Sequence, residues 1–152
     1  MIEIVRAKPA DAEALSAIAF SAKRVWGYPE AWIDAWCHVL TITPEFIANE
    51  ETFCVMEGET AVGFYALIRE HERLRLEHLW VLPRAMQRGL GRALFEHAVA
   101  RARALGFGGF EIEGDPNAEP FYLRMGARRV GSVLSEVCGE RRELPTLRFG
   151  SV

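Results

Sequence analysis

The chain has 152 residues, 18 lysines and arginines against 21 aspartates and glutamates, a formal charge of −3, and 50% hydrophobic residues. A chain of this size buries roughly 68 to 70% of its unfolded surface, enough for a core without disulfides or a structural metal, which excludes low-complexity disorder. Mild acidity without a block of cations excludes a nucleic-acid backbone or an anionic membrane as the main partner.

The start of the sequence lacks a charged segment followed by an apolar run, and no stretch approaches the roughly 18 apolar residues that span a bilayer, so a cytoplasmic location is expected. Cys37, Cys54 and Cys138 are odd in number and form no CxxC pair, which predicts three buried, reduced thiols, no disulfide framework and no zinc site.

Residues 2–6 are a β-branched run, and after Pro9 the apolar positions Leu15, Ile18, Ala22 and Val25 recur at helical spacing. Trp26-Gly27-Tyr28-Pro29 breaks that helix, and a second is predicted over 30–40. Thr43 reads as the N-cap of a short turn with Pro44 at its first position. Residues 52–56 and 61–68 are strand-like and joined by Glu57-Gly58-Glu59-Thr60, a hairpin signature. In the next strand, 73–82, Leu74 and Leu76 alternate with Arg75 and Glu77, but from Leu79 onward the run is apolar on both faces, so its end is buried.

Helical spacing returns at Leu90, Leu94, Ala98, Ala102 and Leu105 and stops at Gly106. A strand over 109–114, a short helix over 118–125, and two strands over 127–137 and 144–149 complete the chain. The charged segment Glu140-Arg141-Arg142 reads as the connection between the last two. No repeat or linker interrupts this order, so residues 1–152 are expected to form one α/β (α+β) domain, a sheet with helices on both faces.

The most informative stretch is Leu79-Trp80-Val81-Leu82-Pro83-Arg84-Ala85-Met86-Gln87-Arg88-Gly89-Leu90-Gly91-Arg92-Ala93-Leu94. A buried strand, a loop and two glycines opening a helix make an anion-site layout. Free N–H groups and the positive dipole end surround a phosphate, and glycines let it approach the backbone. Arg84, Arg88 and Arg92 add mobile charge. A dinucleotide fingerprint fails because Leu94 occupies the third glycine position, and a Walker-type loop is absent.

This stretch resembles the acetyl-CoA loop of the GNAT superfamily of N-acetyltransferases, V-x-P followed by [QR]-x-x-G-x-[GA], at Val81, Pro83, Gly89 and Gly91. Met86 departs at the [QR] position, with Gln87 shifted by one. A second stretch, from Asp115 to Ala127, resembles the superfamily signature N-x-x-A-x-x-[FL]-Y-x-x-x-G-[FA] at Ala118, Phe121, Tyr122, Gly126 and Ala127. Asp115 stands where the family most often has Asn, and Asn117 lies two residues later. The two motifs and the element order cover the chain.

The resemblance implies a mixed, mostly antiparallel sheet of about seven strands. It also implies acetyl-CoA as cosubstrate without a metal, and a pantetheine arm laid against Leu79, Trp80 and Val81 in a gap beside their strand. The loop from Met86 and Gln87 through Arg88, Gly89, Leu90, Gly91, Arg92 and Ala93 would hold the pyrophosphate, with Asn117 and Phe121 nearby.

Acetyl transfer to an amine expels a thiolate, and a phenol that stays protonated at neutral pH can supply its proton, a role that fits Tyr122. The amine must lose a proton first. Glu77, four residues before Val81, stands where several relatives of the family place a base, with Glu113 and His78 in reserve. Cys54 lies far in sequence from both motifs, so direct transfer is expected rather than a covalent acyl-enzyme.

The acceptor side of the superfamily corresponds to the first helices, where Trp26 and Tyr28 flank a loop glycine and are substrate candidates together with Glu113. Trp32 and Trp36, one turn apart, are expected to pack in the core. The acceptor is read as an amine of a small molecule or peptide, and the edge strands predict a homodimer. His38, His71 and His97 show no ligand spacing and are expected in surface or packing roles. The alternative is a non-catalytic acyl-CoA-binding module, which needs no working base.

Overall fold

In the computed structural model, which describes residues 2–151, the period-two runs form seven strands of one sheet. They are β1 (Ile2–Arg6), β2 (Glu51–Glu57), β3 (Thr60–Glu70), β4 (Arg73–Val81), β5 (Gly109–Glu113), β6 (Arg128–Val137) and β7 (Glu140–Gly150). Their spatial order is β1-β2-β3-β4-β5-β7-β6. All neighbours are antiparallel except β4 and β5, which are parallel. The helices are α1 (Ala12–Arg24), α2 (Glu30–Ala35), α3 (Cys37–Leu40), α4 (Pro44–Asn49), α5 (Leu90–Ala104) and α6 (Glu119–Arg124). This is the mixed α/β sheet that the sequence predicts.

Side-chain spacing assigns each helix a face. Leu90, Leu94, Phe95, Ala98 and Ala102 of α5 pack with Val55, Tyr65, Leu76 and Ile112 on one side of the sheet. Leu15, Ile18 and Ala19 of α1 pack with Ile33, Ile47, Cys54 and Phe64 on the other. Each fully buried Leu, Ile or Phe contributes about 1.5–3 kcal/mol relative to exposure, so the two stripes account for the sandwiching of the sheet. Thr43 caps α4 as expected, its Oγ1 accepting the Phe46 N–H at 3.0 Å. No helix among the described residues is long and apolar enough to cross a membrane.

Three expectations change. The helix read over 30–40 is two pieces, because Trp36 leaves the helical region at φ −89°, ψ 3°. Strand β7 starts at Glu140, not near Leu144. Cys138 and Gly139 both have positive φ, 48° and 80°, the two-residue geometry that turns a chain tightly back on itself, and Val137 pairs directly with Glu140. The charged triplet is therefore strand, with Arg142 half-buried while Arg141 is exposed. Of the three cysteines only Cys54 is buried; Cys37 and Cys138 are exposed.

Two irregularities of β4 position the site. First, β4 and β5 pair only at Arg75↔Glu111 and Leu76↔Ile112, after which they part and leave the rest of β4 without a neighbour on that side. Second, the β3 register jumps from Ala66↔His78 to Leu67↔Leu76, so Glu77 is the extra residue of a bulge. The bulge changes the phase of the strand. Leu74 and Leu76 before it and Leu79 and Val81 after it thereby reach the same core, although Leu76 and Leu79 are an odd number of residues apart.

Candidate active site

The parting of β4 from β5 opens a cleft of about 480 Å³ lined by Leu79, Trp80 and Val81 of β4, Met86, Gln87, Gly89, Gly91 and Arg92 of the following loop and helix, and Asn117, Phe121 and Tyr122 around α6. A second cavity, of about 510 Å³, lies against α1, α3 and the β6–β7 hairpin and is lined by Lys23, Trp36, His38, Cys138 and Arg142 among others. Both are lined by Glu77, Trp80, Glu113, Gly114 and Asp115, so they meet at those residues.

The loop before α5 is built to present donors. Gly89 is the N-cap of α5 at φ 78°, ψ 8°, a left-handed conformation that costs glycine little, and an added Cβ would find open space there. The left-handed Gln87, at φ 63°, also turns the chain. None of the backbone N–H groups of residues 87–92 donates to another group among the described residues. Six consecutive free donors at the positive end of a 15-residue helix are the kind of group that can hold an anion. Gly91 serves packing: a Cβ there would come within 3.2 Å of the Phe121 ring.

The arginines of the loop divide. Arg84 and Arg88 both pair with Glu57 of β2, and neither side chain lines the cleft; Arg92 does. Leu90 is buried in the core, and neither it nor Ala93 lines the cleft through its side chain.

Tyr122 is 8% exposed, packed against Phe95 and Phe121, and lines the cleft. Its hydroxyl has no partner among the described residues yet is not sealed from solvent. Burial first, and the charge of Asp115 second, push its phenol well above the ordinary range, so it stays protonated through neutral and alkaline pH. Glu77, on its bulge, accepts from Arg75 Nε at 3.0 Å and is half-buried. His78 is 6% exposed, and burial lowers its imidazole to about 4. Trp80 Nε1 donates to His78 Nδ1 at 3.0 Å, which places the ring proton on Nε2. A neutral imidazole whose free lone pair is already used is a poor base, which leaves Glu77 and Glu113 at the junction.

Beside the junction lies a network the sequence does not reveal. Lys23 Nζ is 2.7 Å from Asp115, with side chains 11% and 8% exposed. The Tyr28 hydroxyl donates to Asp115 at 3.0 Å and accepts from Asn117 Nδ2 at 2.9 Å and Arg142 Nη2 at 2.6 Å. Burial, then Asp115, pushes the Tyr28 phenol up to about 12. Burial alone would raise the Asp115 carboxyl, but the charge and hydrogen bond of Lys23 and the Asn117 N–H outweigh it and hold it below the usual carboxylate range. Burial lowers the Lys23 ammonium despite Asp115.

Tyr28 thus lines neither cavity and acts as the hub of this network, whereas Trp26 and Glu113 line the first cavity. Asp115 borders both cavities and Asn117 the first, each also held to Tyr28. Trp32 and Trp36 are both half-buried; Trp36 packs against the core on the α1 side of the sheet as expected, whereas Trp32 does not, and the two ring Tyr28 with centroids at 5.6 and 5.1 Å. His97 contacts the Tyr65 hydroxyl at 2.7 Å, and His71 is exposed. Lys23 had one sequence signal: it occupies a position on the apolar stripe of α1, one turn after Ala19. Arg142 had none once its segment was read as a connection.

The profile of the family described as acetyltransferase (GNAT) domain matches residues 16–137. No curated protein sequence matches significantly. Among solved structures, PaiA N-acetyltransferase from Thermoplasma acidophilum, in complex with coenzyme A, is 16% identical over 99% of both chains with a TM-score of 0.79. A GCN5-related N-acetyltransferase from Rhodopseudomonas palustris is 19% identical over 98% of this chain and 95% of its own, with a TM-score of 0.81. The ribosomal-protein alanine N-acetyltransferase of Escherichia coli is 18% identical over 99% and 94%, with a TM-score of 0.73. At these identities the likeness is one of fold, while the profile spans most of the sequence: the chain belongs to the GNAT acetyltransferase family.

Proposed function

We propose that this enzyme moves the acetyl group of acetyl-CoA directly to an amine of a small molecule or peptide. The observation that carries the reading is the meeting of two cavities at Glu77, Trp80, Glu113, Gly114 and Asp115, since a thioester entering from one side then faces an amine entering from the other. The donor set suits acetyl-CoA: the free N–H groups of residues 87–92 and Arg92 match a pyrophosphate, and the unpaired edge of β4 offers backbone partners to an amide-bearing arm. The complex of the Thermoplasma relative with coenzyme A supports the same assignment.

Bound there, acetyl-CoA supplies an activated acetyl group. Glu77, directly or through a water, takes the proton of the incoming amine, with Glu113 as the other carboxylate within the junction. Tyr122 gives its hydroxyl proton to the departing sulfur. The same apolar surroundings that raise its phenol also disfavour a bare thiolate, so the transfer keeps its driving force. Cys54 is buried, and burial pushes its thiol up to about 11, which further disfavours a covalent acyl-cysteine. A non-catalytic acyl-CoA-binding module gains nothing from an acceptor cavity beside Glu77.

The test is thiol release from acetyl-CoA across a broad amine panel, with thermal stabilisation by CoA recorded in parallel. Stabilisation with turnover is the expected result. Stabilisation without turnover on any amine would favour the binding module, and no stabilisation at saturating CoA would overturn the phosphate-cradle assignment.

A further inference from the structure

Two cations share one carboxylate beside the second cavity. Lys23 lies 2.7 Å and Arg142 3.7 Å from Asp115, with side-chain exposures of 11%, 12% and 8% in that order, and the remaining partner, the Tyr28 hydroxyl, is neutral. The group therefore carries one uncompensated positive charge in a largely desolvated place, an arrangement that is costly unless something completes it.

Arg142 is the member with spare capacity. Its Nη2 donates to Tyr28, whereas Nε and Nη1 have no partner among the described residues, and neither is sealed from solvent. Its guanidinium lies 4.9, 5.1 and 5.8 Å from the ring centroids of Tyr28, Trp36 and Trp32. The rings offset part of the cost of burial and fix the plane of the fork. A planar guanidinium held still with N–H groups free matches a planar, bidentate acceptor better than a point charge would.

The cavity is also polarised. Arg142 lines only the second cavity, while Glu77 and Glu113 lie at the junction with the first. The other arginine in the second cavity, Arg75, is committed to Glu70 and Glu77 at 3.1 and 3.0 Å. Glu136 and His38 border it as well but are solvent-exposed, so water screens them.

We propose that the acceptor is an aminocarboxylate: its ammonium approaches the carboxylates at the junction, and its carboxylate docks on Arg142 with Lys23 behind. This names the substrate class within the acetyl-transfer reading and rests on it. The β6–β7 hairpin folds back on this region at two points: Arg142 reaches Tyr28 of the α1–α2 connection, and Cys138 Sγ lies 3.6 Å from the Ala31 carbonyl of α2. The contact brings a strand at the far end of the chain to the acceptor.

The test compares L-amino acids and ω-amino acids with their carboxamides, titrated calorimetrically into the full-length protein held with CoA, for wild type, Arg142→Gln and Arg142→Lys. At least one acid is expected to bind wild type roughly 10- to 100-fold tighter than its amide. In Arg142→Gln the ratio should fall towards one, and Arg142→Lys should keep an intermediate ratio. A purely structural role for Arg142 would weaken acid and amide together and leave the ratio intact, which would overturn the proposal. So would equal affinity of acid and amide in wild type, or no binding by any member of the panel. Should Arg142→Gln fail to fold, the wild-type ratio and the Lys variant still decide. An acid preference that responds at Arg142 while CoA fails to bind would remove the acetyl-transfer reading and leave the carboxylate site. Turnover of amines without acid preference would do the reverse.

Discussion

The two cavities that meet at Glu77 are built from different materials. The first is bounded by backbone: an unpaired stretch of β4, six free N–H groups and a left-handed glycine, with side chains that are mostly apolar. The second is bounded largely by charged side chains and aromatic rings: Lys23 of α1, Trp36 and His38 around α3, Trp80 of β4, Asp115 of the loop after β5, and Arg142 of β7. A backbone-built site tolerates change in side chains and fails when the chain path fails. A side-chain-built site responds to single substitutions and is free to differ between relatives while the first stays constant.

The contrast breaks most visibly at Asp115. Asp115→Asn leaves Lys23 and Arg142 as neighbouring, largely buried cations without a counter-charge, and should cost about 3–5 kcal/mol in chemical denaturation. A loss below about 1 kcal/mol would mean that water already compensates the pair. Next in size, Tyr122→Phe should lower kcat roughly 10²- to 10³-fold with little change in KM for acetyl-CoA, because the ring still packs against Phe95 while the proton is gone. Unchanged kcat would dismiss Tyr122 as the acid.

His78 makes part of the fold's stability depend on pH. Its folded value of about 4 lies below the unfolded value of 6.5, so the unfolded chain takes up the proton first as pH falls. The stability tied to the neutral ring is complete above about 6.5 and is lost between there and about 4, amounting to roughly 3 kcal/mol. His78→Phe should flatten that acid limb in urea titrations at several pH values, and an equally steep limb would assign it to other groups.

The smallest effect belongs to Arg88, beside a backbone position where the effect is large. Arg88→Ala removes a side chain that points to Glu57, so CoA affinity should change by less than about threefold. Gly89→Trp, at a backbone position that disfavours side chains, should weaken CoA binding at least about 100-fold in a folded protein. Equal responses at Arg88 and Gly89 in calorimetry would erase the distinction between the two kinds of wall.

The same distinction explains what was legible in the sequence. The strand run ending at Val81, the glycines at 89 and 91, and Tyr122 with its flanking Phe121 are local patterns, and each element they announce is where it was expected. The bulge at Glu77 left a trace too, in the odd spacing of Leu76 and Leu79, which a strict alternation forbids. The acceptor wall leaves almost none. Lys23 and Asp115 are 92 residues apart, and Tyr28 and Arg142 are 114 apart, so no window of sequence contains either pair. Reading Glu140-Arg141-Arg142 as a solvated connection hid the last of them, because charge outweighed a turn whose first residue, Cys138, is an unusual occupant of a positive φ.

The brief contact between β4 and β5 has a mechanical consequence. The sheet consists of two plates, β1 to β4 and β5 to β7, stitched along a seam at Arg75↔Glu111 and Leu76↔Ile112. A molecule lying in the gap beyond that seam acts as mortar between the plates, and by mass action its binding is repaid as resistance to their separation. At a ligand concentration 100 times Kd this amounts to about 2.7 kcal/mol. If the plates open as units, the amide protons bonded across that seam should exchange with deuterium roughly 100-fold more slowly when the gap is filled, while those of β1, at the opposite rim, should respond far less.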